Sequence, residues 1–272
     1  YNYQNLKSSM KDTSFFKFPY DEIKLSPSAI NGSLGAVYHP FEKTFFNVNF
    51  STGFRAPNLD DVAKVFDSEP GSVIVPNADL KPEYAYNIDL GYEQHINDYI
   101  KLECTFFFTY LKDVMVRRDF TFNGQDSIIY DGEMSKVQAI VNASSANIYG
   151  MNAGIYAKIN ENITITSHVS LMDGEDSDGF SVRHVPPTFH VTHLIFTRDN
   201  FKADFYAEYN GEISAEDLTP SEQEKPYMYK LDADGNPYSP SWYTLNFKVA
   251  YQITEQIQMN IGLENIMDVR YR

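Results

Sequence analysis

The stretch Tyr243-Thr244-Leu245-Asn246-Phe247-Lys248-Val249-Ala250-Tyr251-Gln252 decides the fold. Tyr243, Leu245, Phe247, Val249 and Tyr251 fall on one face, and Thr244, Asn246, Lys248 and Gln252 on the other. A period of two is a strand, because successive side chains along a strand point to opposite sides. The same alternation recurs upstream. In 45–54, Phe46, Val48, Phe50 and Phe54 oppose Asn47, Asn49, Ser51 and Gly53; in 101–110, Leu102, Cys104, Phe106, Phe108 and Tyr110 oppose Lys101, Glu103, Thr105 and Thr109. From 162 onward Ile163, Ile165, Val169 and Leu171 oppose Thr164, Thr166, His168 and Ser170, and in 201–210 Phe201, Ala203, Phe205, Ala207 and Tyr209 oppose Lys202, Asp204, Glu208 and Asn210. No stretch carries a capped helical period, although 58–66 has room for a short helical turn. The chain is all-β.

Loop length narrows the class. Short polar turns are expected at 39–42, 96–99, 160–162, 198–200 and 254–256, and long polar connections at 55–82, 114–136, 173–186 and 211–241. In an up-and-down meander this regular alternation puts all short turns at one end and all long loops at the other. Outer-membrane barrels segregate loops in this way and use strands of about 9–11 residues, whereas sandwiches do not. The polar faces are rich in Asn, Thr, Ser, Gly and Gln, as a wet lumen requires. Aromatic residues stand near strand ends (Tyr38, Phe41, Tyr99, Phe196, Phe201, Tyr251), where a barrel places its interfacial girdles. The other β architecture compatible with alternation is a soluble carbohydrate-binding module.

Composition excludes several functions. The 272 residues carry 22 Lys+Arg against 37 Asp+Glu, a net charge of −15, the wrong sign for gripping a phosphate backbone, so no nucleic-acid partner is expected. One cysteine, Cys104, excludes an internal disulfide, and on the apolar face of its strand it acts as a small hydrophobe. The 20 Tyr and 20 Phe are too many for a disordered acidic chain. No GxSxG element, metal signature or placed Ser/His/Asp trio points to an enzyme. No cofactor and no metal site is expected. The run Asp173, Glu175, Asp176, Asp178 lacks the offsets of a calcium loop and reads as a solvated acidic segment.

Three elements resemble the TonB-dependent outer-membrane receptor family. Gly53-Phe54-Arg55-Ala56-Pro57, followed by Asn58-Leu59, resembles its "GFRAP" segment; Pro76-Asn77-Ala78-Asp79-Leu80-Lys81-Pro82-Glu83 resembles its "NPxLKPE" element; Gly262-Leu263-Glu264-Asn265-Ile266-Met267-Asp268-Val269-Arg270-Tyr271 resembles its penultimate-strand "NLFDxxY" element. The resemblance implies the C-terminal half of an antiparallel transmembrane barrel of about 22 strands, with about eleven present, short periplasmic turns and long extracellular loops. Residues 1–272 are then expected to be a partial barrel domain, with an N-terminal plug, the early strands and the last strand outside the sequence. It further implies location in the Gram-negative outer membrane, among lipids and lipopolysaccharide. The implied function is uptake of a small-molecule iron complex, siderophore or haem, driven through the plug by TonB and the inner-membrane proton-driven motor. The paired boxes most resemble the haem and haemoglobin branch, where a histidine between them ligates iron; residues 58–75 contain none.

Physical reading of the motifs is mainly structural. Gly53 removes a side chain at a strand exit, Pro57 ends ladder pairing and Pro82 fixes an extended entry into the next strand. Arg55 is expected to pair with Asp60 or Asp61. Candidate ligand contacts are Arg55, Asp60 and Asp61 at the loop mouth, and Arg117 and Arg118, which suit an anionic cargo or lipopolysaccharide phosphates. His184 stands at a loop base, and Tyr227, Tyr229 and Trp242 lie in or beside the aromatic-rich 211–241 loop. His190 and His193 fall on opposite faces of one strand, and His168 faces the lumen.

Overall fold

The computed structural model describes residues 2–9, 21–63, 65–69, 71–143, 145–183, 185–223 and 225–271. Ten strands form one antiparallel sheet: β1 (Ser33–Phe41), β2 (Thr44–Arg55), β3 (Glu83–His95), β4 (Ile100–Lys112), β5 (Ser145–Lys158), β6 (Ile163–Asp176), β7 (Phe189–Arg198), β8 (Phe201–Asn210), β9 (Trp242–Gln252) and β10 (Gln258–Leu263). Each strand pairs only with its neighbours in this order. The meander therefore collects residues 42–43, 96–99, 159–162, 199–200 and 253–257 at one end of the sheet and 56–82, 113–144, 177–188 and 211–241 at the other. Among the described residues the sheet has ten strands, close to the eleven or so expected, and β6 runs to Asp176, three residues past the expected start of its loop.

Side-chain chemistry explains the short turns. Asn97 Oδ1 accepts the amides of Tyr99 and Ile100, Asn160 Oδ1 those of Asn162 and Ile163, and Thr254 Oγ1 those of Gln256 and Ile257. Each side chain stands in for a backbone acceptor and closes the turn locally.

Register sorts the two faces cleanly. Rows such as Val48–Leu90–Phe106–Met151–Leu171 and Leu194–Phe205–Phe247–Leu263 are wholly apolar. They are not buried: Leu90 is 52% exposed, Phe106 55% and Ile261 61%. A water-soluble sandwich covers such a face, so this exposure argues against the soluble alternative and for a lipid-facing wall. On β8 the apolar face runs from Phe201 to Tyr209. At ~3.3 Å per residue and a ~40° tilt, those eight steps span roughly 20 Å of bilayer height. The opposite face is polar and cross-linked: Asn49 Nδ2 and Asn87 Nδ2 both donate to Asp89 (3.2 and 2.8 Å), and Thr109 Oγ1 donates to Asn87 (2.7 Å).

The buried core lies at the long-loop end. There, Phe66–Glu69, Ser72–Ile74, Met115–Asp119, Ser127–Tyr130 and Glu133–Asn142 build a second, five-stranded sheet from the 56–82 and 113–144 loops. Val73, Val75, Phe122, Ile128, Val137 and Ala139 form its core. A second cluster, Ile23, Val62 and Leu80, ties the Leu6–Ser9/Glu22–Leu25 hairpin to the helix Leu59–Ala63. The long polar connection expected at 114–136 is itself folded into short strands. Its Asn123-Gly124 and Asp131-Gly132 pairs have positive φ throughout (52°, 78°, 49°, 86°), which suits the two-residue turns of tight hairpins.

Candidate functional site

The two boxes flanking the 56–82 loop meet at one point, since Arg55 at the end of β2 pairs in register with Glu83 at the start of β3. Gly53 lies on the same ladder, where a Cβ would stand a tight 3.3 Å from that of Ala85. Phe54 packs on Tyr84 (5.4 Å between rings), and Pro57, which follows Ala56, is fully buried. Asn58 caps the short helix: its Oδ1 accepts Asp61 N, and Asp61 Oδ2 accepts Asn58 N, both at 3.0 Å, a reciprocal capping box. Arg55 Nη2 donates to Asp61 (3.4 Å), one of the two acids expected, and its Nη1 stands 4.0 Å from Glu83. Asp60 lies within the helix; its side chain is outside the described residues.

The second box is a staple between loops. Buried Asn77 donates through Nδ2 to Ile140 O (2.9 Å) and accepts Asp79 N (3.0 Å). Leu80 is 3% exposed in the hairpin–helix cluster. Lys81 N donates to Asn142 Oδ1, and Asn142 Nδ2 returns to Lys81 O (2.8 and 3.0 Å). Pro82 leads into β3, and Glu83 Oε2 accepts Met115 N (2.9 Å). Asn265 of the third element does similar work with φ of 51°: it takes Asn246 Oδ1 with its amide (2.7 Å) and holds Val269 N and O with its side chain (both 2.9 Å). These motif side chains spend their hydrogen bonds on one another and on backbone.

The remaining candidates are spread over the long-loop end. Arg117 and Arg118 lie in the Met115–Asp119 strand of the second sheet. Arg118 reaches the buried Asp176 carboxylate and stands 3.5 Å from Asp178, its guanidinium 4.9 Å above the Phe180 ring. Asp176 Oδ1 also accepts the amides of Asp178 and Phe180. The acidic 173–179 run is therefore closed by an arginine and backbone, and no group of three metal-ligating side chains occurs among the described residues. His184 lies outside the described residues. His190 bonds Ser167 and Thr192 on the apolar face (2.8 and 3.1 Å), while His193, on the other face, bonds Asp204 (3.0 Å) and stacks on Tyr206. His168 Nδ1 stands 3.7 Å from Glu103 on that polar face.

The 211–241 loop brings its aromatics to a cavity. Tyr227 is exposed; Tyr229 donates its hydroxyl to Glu222, which also accepts Arg183 Nε (3.1 Å). Burial, then the Glu222 bond, pushes the Tyr229 phenol up to about 12. Trp242 is the first residue of β9 and stacks on Tyr271 at 4.5 Å. Both line a cavity of about 510 Å³ with Tyr229, Tyr238, Lys230 and Arg270. Lys230, Arg270 and Tyr271 were not expected there; the aromatic loop was visible in sequence, but its closure against the segment after β10 depends on the Asn265 turn.

A family model described as "TonB dependent receptor-like, beta-barrel" matches residues 1–266. No curated protein sequence matches the chain. Among solved structures, the "Copper transporter OprC" superposes with TM-score 0.70 at 16% identity, over 93% of this chain and 36% of its own. The siderophore receptor PirA from Acinetobacter baumannii gives 0.64 at 17% (90% and 37%), and the ferric yersiniabactin uptake receptor FyuA from Yersinia pestis 0.59 at 17% (93% and 34%). The chain spans about a third of the length of these receptors, and at such identities the likeness is one of fold.

Proposed function

Because the chain belongs to the TonB-dependent receptor β-barrel family of the outer membrane, we propose that it forms part of a receptor that imports a scarce nutrient as a small-molecule iron complex, a siderophore or haem. The observation that carries this reading is the division of the fold into an exposed apolar wall and a folded sheet of long loops at one end. Lipid covers the first; the second offers a shaped surface for cargo. Within a complete receptor, a plug would fill the polar lumen and TonB, driven by the inner-membrane proton motor, would pull on it. The wall would contact lipids and lipopolysaccharide. Solved siderophore and metal receptors of the same fold support the cargo class.

Nothing in this reading needs bond chemistry by the protein, so the chain acts as receptor and not as enzyme. Among the candidate contacts, exposed Tyr227 and the half-buried Tyr229 and Trp242 stand in or next to the 211–241 loop, Arg117 lies in the second sheet, and Asp60 and His184 belong by sequence to the loops at the same end. Arg55, Asp61 and Arg118 hold the mouth in shape through their ion pairs. For haem, the ligand would have to come from outside 58–75, which has no histidine.

The test is radio-iron uptake by cells with and without the complete receptor, supplied with ferric siderophores or haemin in turn. The expected result is uptake of at least one iron source that depends on the receptor and collapses when a protonophore dissipates the proton gradient. Receptor-independent uptake of all of them would refute the iron reading.

A further inference from the structure

We propose that the wall carries a lipid site, a polar notch of Ser167, His190 and Thr192 that binds a hydroxylated acyl chain of an outer-leaflet lipid. The assignment rests on the outer-membrane reading and narrows general contact with lipid to one place and one chain chemistry. Position is the first argument. The three side chains lie on the outward face of β6 and β7, where Ser167 pairs with Thr192 and Val169 with His190. On β6, Ser167 has Ile163 and Ile165 on one side and Val169 and Leu171 on the other, so the cluster stands inside the apolar band. A histidine facing lipid is rare and costly, and it marks a functional site. From Val169 to Asp173, the first charged outward residue on β6, four residues at ~3.3 Å and ~40° tilt rise roughly 10 Å. The headgroup layer takes roughly 5–8 Å of each leaflet. The notch therefore lies just beneath the heads at the long-loop end, where an acyl chain begins.

Hydrogen-bond capacity is the second argument, and it is independent of position. Ser167 Oγ stands 2.8 Å from both His190 Nε2 and Thr192 Oγ1, and Thr192 Oγ1 stands 3.1 Å from the same Nε2. If Nε2 accepts, one hydroxyl donates to it and the other hydroxyl donates to the first. The Nδ1–H is then left over, with no partner among the described residues, beside open lone pairs on a hydroxyl oxygen. If Nε2 instead donates, one hydroxyl hydrogen and the Nδ1 lone pair are left over. Either tautomer leaves one donor and one acceptor, and hydrocarbon offers neither a partner. A hydroxyl on a lipid chain both accepts and donates, so it completes the set; an ester carbonyl only accepts. Neighbouring side chains suit a chain. Ala207 pairs with Thr192 and keeps the wall low between Tyr209 and the pair Leu194–Phe205, all three exposed. Asp173 and Glu175, outward and exposed above the notch, repel phosphates, so the site grips the chain and not the head. Lipopolysaccharide, whose acyl chains carry such hydroxyls, is the lipid of this chemistry.

The probes are two photoactivatable lipids that differ only in a β-hydroxyl, one β-hydroxymyristoyl and one myristoyl. Each is present at low fraction in phosphatidylcholine nanodiscs that hold the complete receptor, and crosslinked peptides are quantified by mass spectrometry. The hydroxylated probe is expected to label 163–171 and 189–209 roughly three- to tenfold more than the plain one, the range that hydrogen bonds in bilayers support. Both probes should label 101–110 equally. Thr192→Val and His190→Phe, which keep much of the shape, should each remove the preference and leave labelling by the plain chain unchanged. Equal labelling by the two probes in the unaltered receptor would overturn the site, as would a preference that survives both variants with circular dichroism intact. Absence of label from 163–171 and 189–209 alone, in a receptor that sediments as a dimer, would also overturn it, because a second copy would then cover the notch. Failure of the outer-membrane reading looks different: neither probe would label any outward strand, 101–110 included.

Discussion

The wall and the sheet of long loops spend their apolar residues in opposite ways. In the wall, Leu90 and Phe106 sit side by side in register and face outward, each more than half exposed. In the loop sheet, Val73 and Val137 are register partners on a parallel ladder and are both fully buried. One chain thus folds against two solvents. The wall needs no core because lipid is its apolar phase, and its hydrogen bonds run strand to strand with polar ladders such as Asn49–Asp89 behind them. The loop sheet stands in water, where burial of Val73, Val75, Val137 and Ala139 supplies the driving force. The difference teaches that a barrel's loops can be the part with an ordinary globular core.

Three substitutions ask whether the regions are independent. Leu80→Ala empties a buried site in the hairpin–helix cluster and is expected to cost ~2–5 kcal/mol locally. Amide exchange should rise around Lys81, Asn142 and Met115, which the second box staples, while β4 and β5 keep their protection. Equal loss of protection in those strands would break the comparison. Phe106→Arg puts a charge on the lipid face of β4 and is expected to cost ~2–4 kcal/mol in urea unfolding from bilayers. Thr105→Arg, one residue along and on the polar face, should cost much less. A similar cost at both positions would mean that the face containing Phe106 does not see lipid.

The same contrast governs what could be read from sequence. The wall was legible because its period of two is a local pattern repeated strand after strand; β8 matches the expected 201–210, and β2 covers the expected 45–54. The loop sheet was not, because its strands are short and pair out of order: Ser72–Ile74 joins Glu133–Asn142 in parallel across some sixty residues. The Asn123-Gly124 and Asp131-Gly132 turns were the available signal, and they stood in a stretch too polar to resemble strands. At the mouth, Arg55 was visible as a cation near acids, yet the reach of Asp61 back to it needed the helix cap at Asn58, which turns that carboxylate toward the strand end. The cavity around Trp242 was half visible, as an aromatic loop without its Tyr271 wall. No local pattern could bring Tyr271 to Trp242, since their approach depends on a turn at Asn265 with positive φ.

A smaller effect is expected at the junction of the two regions. Asp61→Ala removes the reciprocal cap of the Leu59–Ala63 helix and the hydrogen-bonded partner of Arg55, and should cost ~1 kcal/mol. Limited proteolysis of the 56–82 loop reads this directly: cleavage should quicken several-fold with the wall intact. Asp61→Asn, which keeps an acceptor, should restore most of the resistance. Unchanged cleavage in both variants would show that Arg55 and Glu83, opposite each other on the wall, hold the mouth without the cap.

The 211–241 loop offers the smallest and most selective test of whether loops here are ordered like a core. Tyr229 has its phenol raised from the ordinary 10.0 to about 12, first by burial and then by its bond to the Glu222 carboxylate, with Arg183 opposing. A group whose pKa is raised on folding adds stability that is fully present below its unfolded value and fades as pH climbs through the folded one. The window is therefore between about pH 10 and about 12. Across it, protection of the loop from protease should fall in the unaltered protein, because tyrosinate beside Glu222 is both repelled and stripped of its donor hydrogen. Tyr229→Phe has no proton to lose and should show a flatter profile. The ultraviolet difference between the two proteins should place one phenol ionising near 12. If that phenol instead ionises near 10, Tyr229 stands in water, and the loop belongs with neither the wall nor the buried sheet.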